Sequence, residues 1–115
     1  MEVRELTPER KKELIGFAIR GANRLDHAGL AMEWAKEINL SELNMYSLWE
    51  CVLGQVFGNY GDGMSELGIS LDEGYLFGFD GREVQDYDVL HNAWAGLIAV
   101  RLGDDGSADF TQFMH

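Results

Sequence analysis

The sequence predicts a mainly α fold, a single compact domain of four to five helices around a central glycine-containing helix at about 48–67. Apolar residues recur in steps of three and four along several segments, which places them on one face of a helix. Those segments open on helix-capping residues and close near glycine. At 115 residues and 46% hydrophobic content, with three Trp, six Phe and four Tyr, the chain can build one core and is unlike a disordered composition. β content is expected to be slight.

Thr7-Pro8-Glu9 predicts the first helix start: a capping hydroxyl, a proline where a missing N–H costs nothing, and an early carboxylate facing the helix dipole. The helix is expected over about 8–25, with Leu14, Ile15, Ala18, Ala22 and Leu25 at helical spacing. Asp26 closes it or caps a short second helix in which Leu30, Trp34 and Ile38 share a face beside Ala31 and Ala35. "NLSELNM" sets Leu40, Leu43 and Met45 among turn formers and reads as an irregular connector that buries all three.

Ser47-Leu-Trp-Glu50 has the capping-box pattern and is expected to start the central helix. Leu53, Phe57, Tyr60, Met64 and Leu67 then form an apolar seam, and Gly68 stands where a helix C-terminal glycine belongs. Four interior glycines, Gly54, Gly58, Gly61 and Gly63, oppose this helix by about 0.8–1 kcal/mol each relative to alanine. Gly54, Gly58 and Gly61 lie at i, i+4 and i+7, a stripe without Cβ atoms that lets a backbone or the ring of Trp34, Trp49 or Trp94 approach closely. Gly61-Asp62-Gly63 is the expected point of bending. A phosphate loop is excluded on chemistry: Met64 follows Gly63 where lysine is needed, and no Lys or Arg lies between Lys36 and Arg82.

Ser70-Leu-Asp-Glu73 repeats the capping box and predicts a short helix at about 71–77 ending near Gly78, followed by a turn at Phe79-Asp80-Gly81. Asp86 or Asp88 caps a final helix at about 87–102, with Leu90, Trp94, Leu97 and Ile98 on its apolar face. Residues 104–115 read as a polar turn followed by Phe110, Phe113 and Met114, which are expected to dock.

The net charge of −11 is unevenly placed. Residues 1–38 balance seven basic against seven acidic groups, whereas residues 39–115 carry two basic (Arg82, Arg101) against thirteen acidic. Such a surface repels nucleic-acid backbone and anionic membranes, so neither direct nucleic-acid binding nor membrane binding is expected, and a protein with a basic surface suits it as partner. Cys51 is the only cysteine, which excludes an internal disulfide and suits a reducing cytoplasm, and no apolar run approaches the ~18 residues of a membrane span.

Trp34 followed by "INLSELNM", then "CVLGQVFGNYGDG" (51–63), "FGFD" (77–80) and "YDVLHNAW" (87–94) resemble a group of small uncharacterised proteins of actinobacterial phages and prophages that carry a CVLGQ-x-x-G-x-Y element. The resemblance spans roughly residues 25–100. It implies a phage or prophage setting and the cytoplasm of the host bacterium, and brings no activity or catalytic residue. Related sequences often carry Pro-Gly ahead of the tryptophan, where this chain has Leu30-Ala31-Met32-Glu33.

The function expected is therefore that of a non-enzymatic phage or prophage accessory protein that binds a host or phage protein, with an acidic face of Asp72, Glu73, Asp80, Glu83, Asp86 and Asp88 that imitates nucleic acid in its extreme form. The alternative is a small-molecule binder or metabolite sponge, its pocket beside the Gly54/Gly58/Gly61 stripe and rimmed by Gln55, Asn59, Tyr60 and Asp62. Gln55 lies within an apolar run, and a partly buried amide there needs partners, which the backbone of "INLSELNM" can supply. No cofactor or metal is expected: His27, His91 and His115 form no paired ligand motif, and Asp104-Asp105-Gly106-Ser107-Ala108-Asp109 lacks an EF-hand's ligand alternation and final glutamate. Asp88 and His91, three apart on one helix, with Cys51 imagined as nucleophile, read instead as a surface pair and a buried thiol.

Overall fold

Thr7 starts the first helix as its sequence dictates, its Oγ1 accepting from Arg10 N at 3.1 Å. The computed structural model of the chain describes residues 6–103. In it α1 (Pro8–Asp26), α2 (Val52–Phe57), α3 (Tyr60–Leu67) and α4 (Asp86–Arg101) are joined through 3₁₀ turns at Trp34–Glu37, Leu40–Glu42 and Leu71–Phe77. The fold is mainly α, without a strand among the described residues, and none of their helices is long and apolar enough to cross a membrane. The expected docking of Phe110, Phe113 and Met114, the 104–109 turn and His115 lie outside the described residues.

α1 buries Leu14, Ala18, Ala22 and Leu25, whereas Ile15 stays half-exposed. Its main partner is α4, which buries Leu90, Trp94 and Ile98. The two helices run parallel, because ion pairs clamp like ends together. At the N-terminal ends Arg10 Nη2 meets Asp86 Oδ2 at 2.8 Å. At the C-terminal ends Arg101 grips both oxygens of Asp26, Nε to Oδ1 at 2.9 Å and Nη2 to Oδ2 at 2.6 Å. Trp34 Nε1 donates to the same Asp26 Oδ1 at 2.9 Å, so the 3₁₀ turn at Trp34–Glu37 is fastened to this clamp.

Trp94 lies at the centre of the core. Its ring meets Trp34 edge-on with centroids 5.9 Å apart, stacks on Phe79 at 5.5 Å, and donates from Nε1 to the Gly78 carbonyl at 2.7 Å. Gly21 lets α1 pass this close: a Cβ there would collide with the Phe77 carbonyl and stand 3.0 Å from Cζ2 of Trp94. The central element is therefore the α1–α4 pair with the Leu71–Phe77 turn against α1, and not the 48–67 segment.

That segment is not one continuous helix. α2 ends at Gly58, whose φ of +103° is a conformation that side-chain-bearing residues rarely adopt, and Asn59 at once caps α3, its Oδ1 accepting from Asp62 N at 2.8 Å. α2 and α3 fold on each other, with a Cβ on Gly63 reaching 2.8 Å from Leu53. The seam of Leu53, Phe57, Tyr60, Met64 and Leu67 survives because both short helices turn the same side inward, and the break comes at Gly58 rather than at Gly61-Asp62-Gly63.

The Ser47 capping box also acts elsewhere than expected. Ser47 Oγ accepts from Trp49 N and Glu50 N at 3.1 and 2.9 Å, capping a turn, and the helix itself begins one step later at Cys51, whose Sγ accepts from Gly54 N at 3.3 Å. The second helix is reduced to the single turn at Trp34–Glu37, although Trp34, Ala35 and Ile38 are buried. Ser70 Oγ donates to Glu73 Oε1 at 2.9 Å, and the short helix expected at about 71–77 forms as a 3₁₀ helix at Leu71–Phe77 that ends at Gly78.

The glycines now separate into two kinds, which gives a prediction. Gly58→Ala forces a side chain into a left-handed turn and is expected to cost about 1–2 kcal/mol. Gly61→Ala, in the first turn of α3 with only Asn59 Oδ1 at 3.4 Å from its Cβ, is expected to stabilise by about 0.4–1 kcal/mol. Urea unfolding of the two variants measures both signs, and a continuous helix through 48–67 would make both substitutions stabilising.

Candidate functional site

Of the six acidic groups expected to share a face, Asp86 does not belong to a surface at all. It is 0% exposed, and its Oδ2 accepts from Arg10 Nη2, Arg82 N and Glu83 N at 2.8, 2.9 and 3.1 Å. Burial opposes its ionisation, but the two N–H groups and the guanidinium outweigh burial and hold the carboxyl below the usual carboxylate range. Its role is to cap the turn entering α4 and fasten it to α1. Asp80 is half-buried, accepting from Gly81 N and from the Tyr87 hydroxyl at 2.9 and 2.8 Å. Burial and that carboxylate push the Tyr87 phenol up to about 12. Asp72, Glu73, Glu83 and Asp88 are exposed.

The rim expected beside the glycine stripe is spent on the fold. Gln55 Oε1 accepts from Asn39 N at 2.6 Å, and its Nε2 donates to the carbonyls of Asn39 and Glu50 at 3.3 and 3.0 Å. The amide stitches α2 to the "INLSELNM" connector, the structural partner its apolar context calls for. Gln55→Ala leaves these backbone groups to find water, with an expected loss of about 1–2 kcal/mol and faster hydrogen exchange at Asn39, both accessible to amide NMR. Asn59 and Asp62 are occupied with each other, Asn59 Nδ2 donating to Asp62 Oδ2 at 2.9 Å. The Tyr60 hydroxyl points inward against Gly74, buried and without a hydrogen-bond partner, and its ionisation is pushed upward by burial and then by Asp80, Cys51 and Tyr87.

The stripe itself dissolves. Gly54 does receive a backbone, since a Cβ there would stand 2.5 Å from the Trp49 carbonyl, but Gly58 meets nothing and Gly61 meets only its own cap. No tryptophan ring lies on the three glycines: Trp94 packs by Gly21, and the Trp49 side chain faces solvent. The small-molecule reading thereby loses its residues.

Cys51 is buried at the head of α2, where burial raises its thiol despite the nearby backbone N–H groups. A protonated, enclosed thiol is a poor nucleophile. His27 is held by Asn23 O through Nδ1 at 2.8 Å, remote in the chain from His91. Among the described residues no group of three or more His, Cys, Asp or Glu is placed to hold a metal.

What the structure assembles instead was not legible as a motif. Asp88 and His91 of α4 line one side of a cavity of about 460 Å³, and Glu42, Asn44 and Glu50 from the 41–50 connector line the other. Three carboxylates thus surround one depression. The connector also sends Tyr46, Leu48 and Trp49 outward, 70, 53 and 67% exposed, and Tyr46 leans on Tyr87 with ring centroids 4.8 Å apart. Elsewhere much of the positive charge is engaged internally: Arg10 and Arg101 in the helix clamps, Arg24 on the Leu67 carbonyl, Arg82 over the Tyr75 ring at 4.5 Å. The sequence signal for this site was the run of four residues Tyr46-Ser47-Leu48-Trp49 flanked by Glu42 and Glu50, which reads as a capping box until the connector's turns are known.

Set beside protein-family models, curated proteins and solved structures, the chain finds no match in any of the three.

Proposed function

We propose that the protein is a non-enzymatic binding module that takes a basic segment of another protein on the face formed by the 41–50 connector and the start of α4. The observation that carries this reading is that the connector lining the Glu42/Glu50/Asp88 depression also bears Tyr46, Leu48 and Trp49, all largely solvent-exposed, with Tyr46 against Tyr87 at the depression's edge. Large exposed apolar side chains rimmed by charge of one sign are characteristic of interaction sites, and tryptophan and tyrosine are enriched among the residues that carry binding energy. The partner it suits carries lysine or arginine for the carboxylates and an apolar anchor for Trp49. The resemblance to phage and prophage proteins supports a host or phage protein of the bacterial cytoplasm in that role. A nucleic-acid mimic in the strict sense needs a broader array of carboxylates than Asp72, Glu73, Glu83 and Asp88, so recognition of a short basic segment is the better-supported form.

A library of basic peptides, each bearing one aromatic or aliphatic residue, provides the probe. Trp49→Ala is expected to weaken the best binder about tenfold or more while changing stability by no more than about 0.5 kcal/mol, as calorimetric titration and melting can establish together. Unchanged affinity in that variant would remove this face from the reading.

A further inference from the structure

Helix α4 is apolar on two sides. Leu90, Trp94 and Ile98 face the core, while Val89, Ala93, Gly96 and Val100 form a second strip at steps of four, three and four. With Ile15 and Ile19 of α1 that strip lines a groove of about 600 Å³. Ile15, Ile19 and Val100 are 43, 44 and 57% exposed, and a Cβ placed on Gly96 would meet nothing within 4 Å. Glycine is disfavoured inside a helix, and nothing in the described fold makes use of its bareness here.

The groove also differs from the rest of the surface in charge. Among the described residues that line it Lys11 is the only charged one, in a chain with 20 acidic and 9 basic side chains. By contrast, the depression beside the 41–50 connector carries Glu42, Glu50 and Asp88, and one beside Trp34 carries Asp26 and Glu33. Two chains of net charge −11 repel each other, and a face lined without carboxylates is where that repulsion is weakest.

We propose that the groove is occupied by a second copy of the chain, packed groove to groove about a two-fold axis with its helices antiparallel to those of the first. Charge selects this arrangement. α1 and α4 are parallel within one chain, so their dipoles add, and the Lys11 end of the groove is positive while the Val100 end is negative. Antiparallel pairing sets each positive end on the negative end of the other copy and brings Lys11 to the C-terminal end of the other copy's helix pair. Area supports it as well. α1 and α4 are 19 and 16 residues long. A helix pair about 24 Å long and about 20 Å wide covers roughly 500 Å² on each copy, about 1,000 Å² in all, which reaches the smallest area expected of a specific interface. A dimer of this size is expected to dissociate at about 1–100 µM, and Gly96 is the place where two helices can approach most closely.

Sedimentation of the 115-residue chain from about 1 to about 500 µM tests this. Monomers at the low end and dimers at the high end are expected. Association should tighten as salt is raised from about 50 to about 500 mM, because salt screens the net repulsion; binding of a basic peptide to the acidic depression changes in the opposite direction. Gly96→Lys is expected to weaken association about tenfold or more. It adds bulk in the groove while lowering the net negative charge, so long-range repulsion cannot account for the loss. The single chain has room for the new side chain, so melting at about 1 µM is expected to be unchanged or higher. For orientation, chains carrying Lys11→Cys mixed with chains carrying Val100→Cys are expected to form disulfides faster than either kind alone, the native Cys51 being buried. A monomer throughout the concentration range, which would leave the groove to another occupant, would overturn the proposal. So would association indifferent to Gly96→Lys, or faster bonding of Lys11→Cys chains to themselves.

Discussion

Replacing Asp86 with alanine is expected to destabilise the protein by about 3 kcal/mol or more, enough to lower its melting temperature by more than 10 °C. One carboxylate oxygen holds three donors, two of them backbone N–H groups in the turn that aims α4 and the third the guanidinium that ties α4 to α1. Removing it orphans all three, and each poorly solvated N–H costs about 1–3 kcal/mol. Solvent moderates the loss at Arg10, whose side chain is 25% exposed and keeps Glu13 at 2.6 Å. Asp86→Asn keeps an acceptor but loses the charge, so it is expected to fall between alanine and the native residue. The same site sets an acid limb. Asp86 and Asp26 both titrate below the ordinary carboxylate range, Asp86 because N–H and Arg10 contacts outweigh burial, Asp26 chiefly through Arg101. A carboxyl whose folded pKa is depressed contributes stability above its unfolded value of about 3.9, and that contribution is lost as pH falls through the folded value. Stability should therefore drop below about pH 4, and the slope there should be shallower in Asp86→Asn.

The second large effect is expected at Trp94. Trp94→Ala empties the space between α1, Trp34 and Phe79 and is expected to cost about 3–5 kcal/mol. Trp94→Phe separates the two contributions of this side chain: it retains an aromatic ring but leaves the Gly78 carbonyl without its indole donor, for an expected loss of about 1–3 kcal/mol. Denaturant unfolding followed by far-UV circular dichroism gives both values. Near-equal losses in the two variants would mean that the hydrogen bond, not the packing, dominates at this position.

The parts of the fold that local chemistry decides were readable from sequence. Thr7-Pro8 starts α1, and the apolar spacing of Leu90, Trp94 and Ile98 places α4 against the core. Gln55 was readable too, because an amide in an apolar run must be satisfied by something. The break in the 48–67 segment was hidden by its own seam: spacings of four and three continue unchanged across two short helices that hinge with their apolar sides together. The signal that reveals it is the pair Gly58-Asn59, a helix-ending glycine followed directly by an N-capping asparagine with Asp62 three residues on. Cys51 hid the start of α2 because sulfur is not among the usual capping atoms. Asp86 was assigned to the surface because its burial depends on Arg10, 76 residues away in the chain, and no local pattern carries that information. The Glu42/Glu50/Asp88 site escaped for the same reason, being composed of a loop and a distant helix.

Backbone amide NMR of the native protein, titrated with the tightest basic peptide at about 50 and about 500 mM salt, tests the binding face most directly. Shifts confined to residues 41–50 and the Tyr87, Asp88 and His91 turn of α4, with affinity falling steeply at the higher salt, are the predicted result. Shifts centred on Asp72 and Glu73 or on the α2–α3 hinge, or an affinity indifferent to salt, would contradict it.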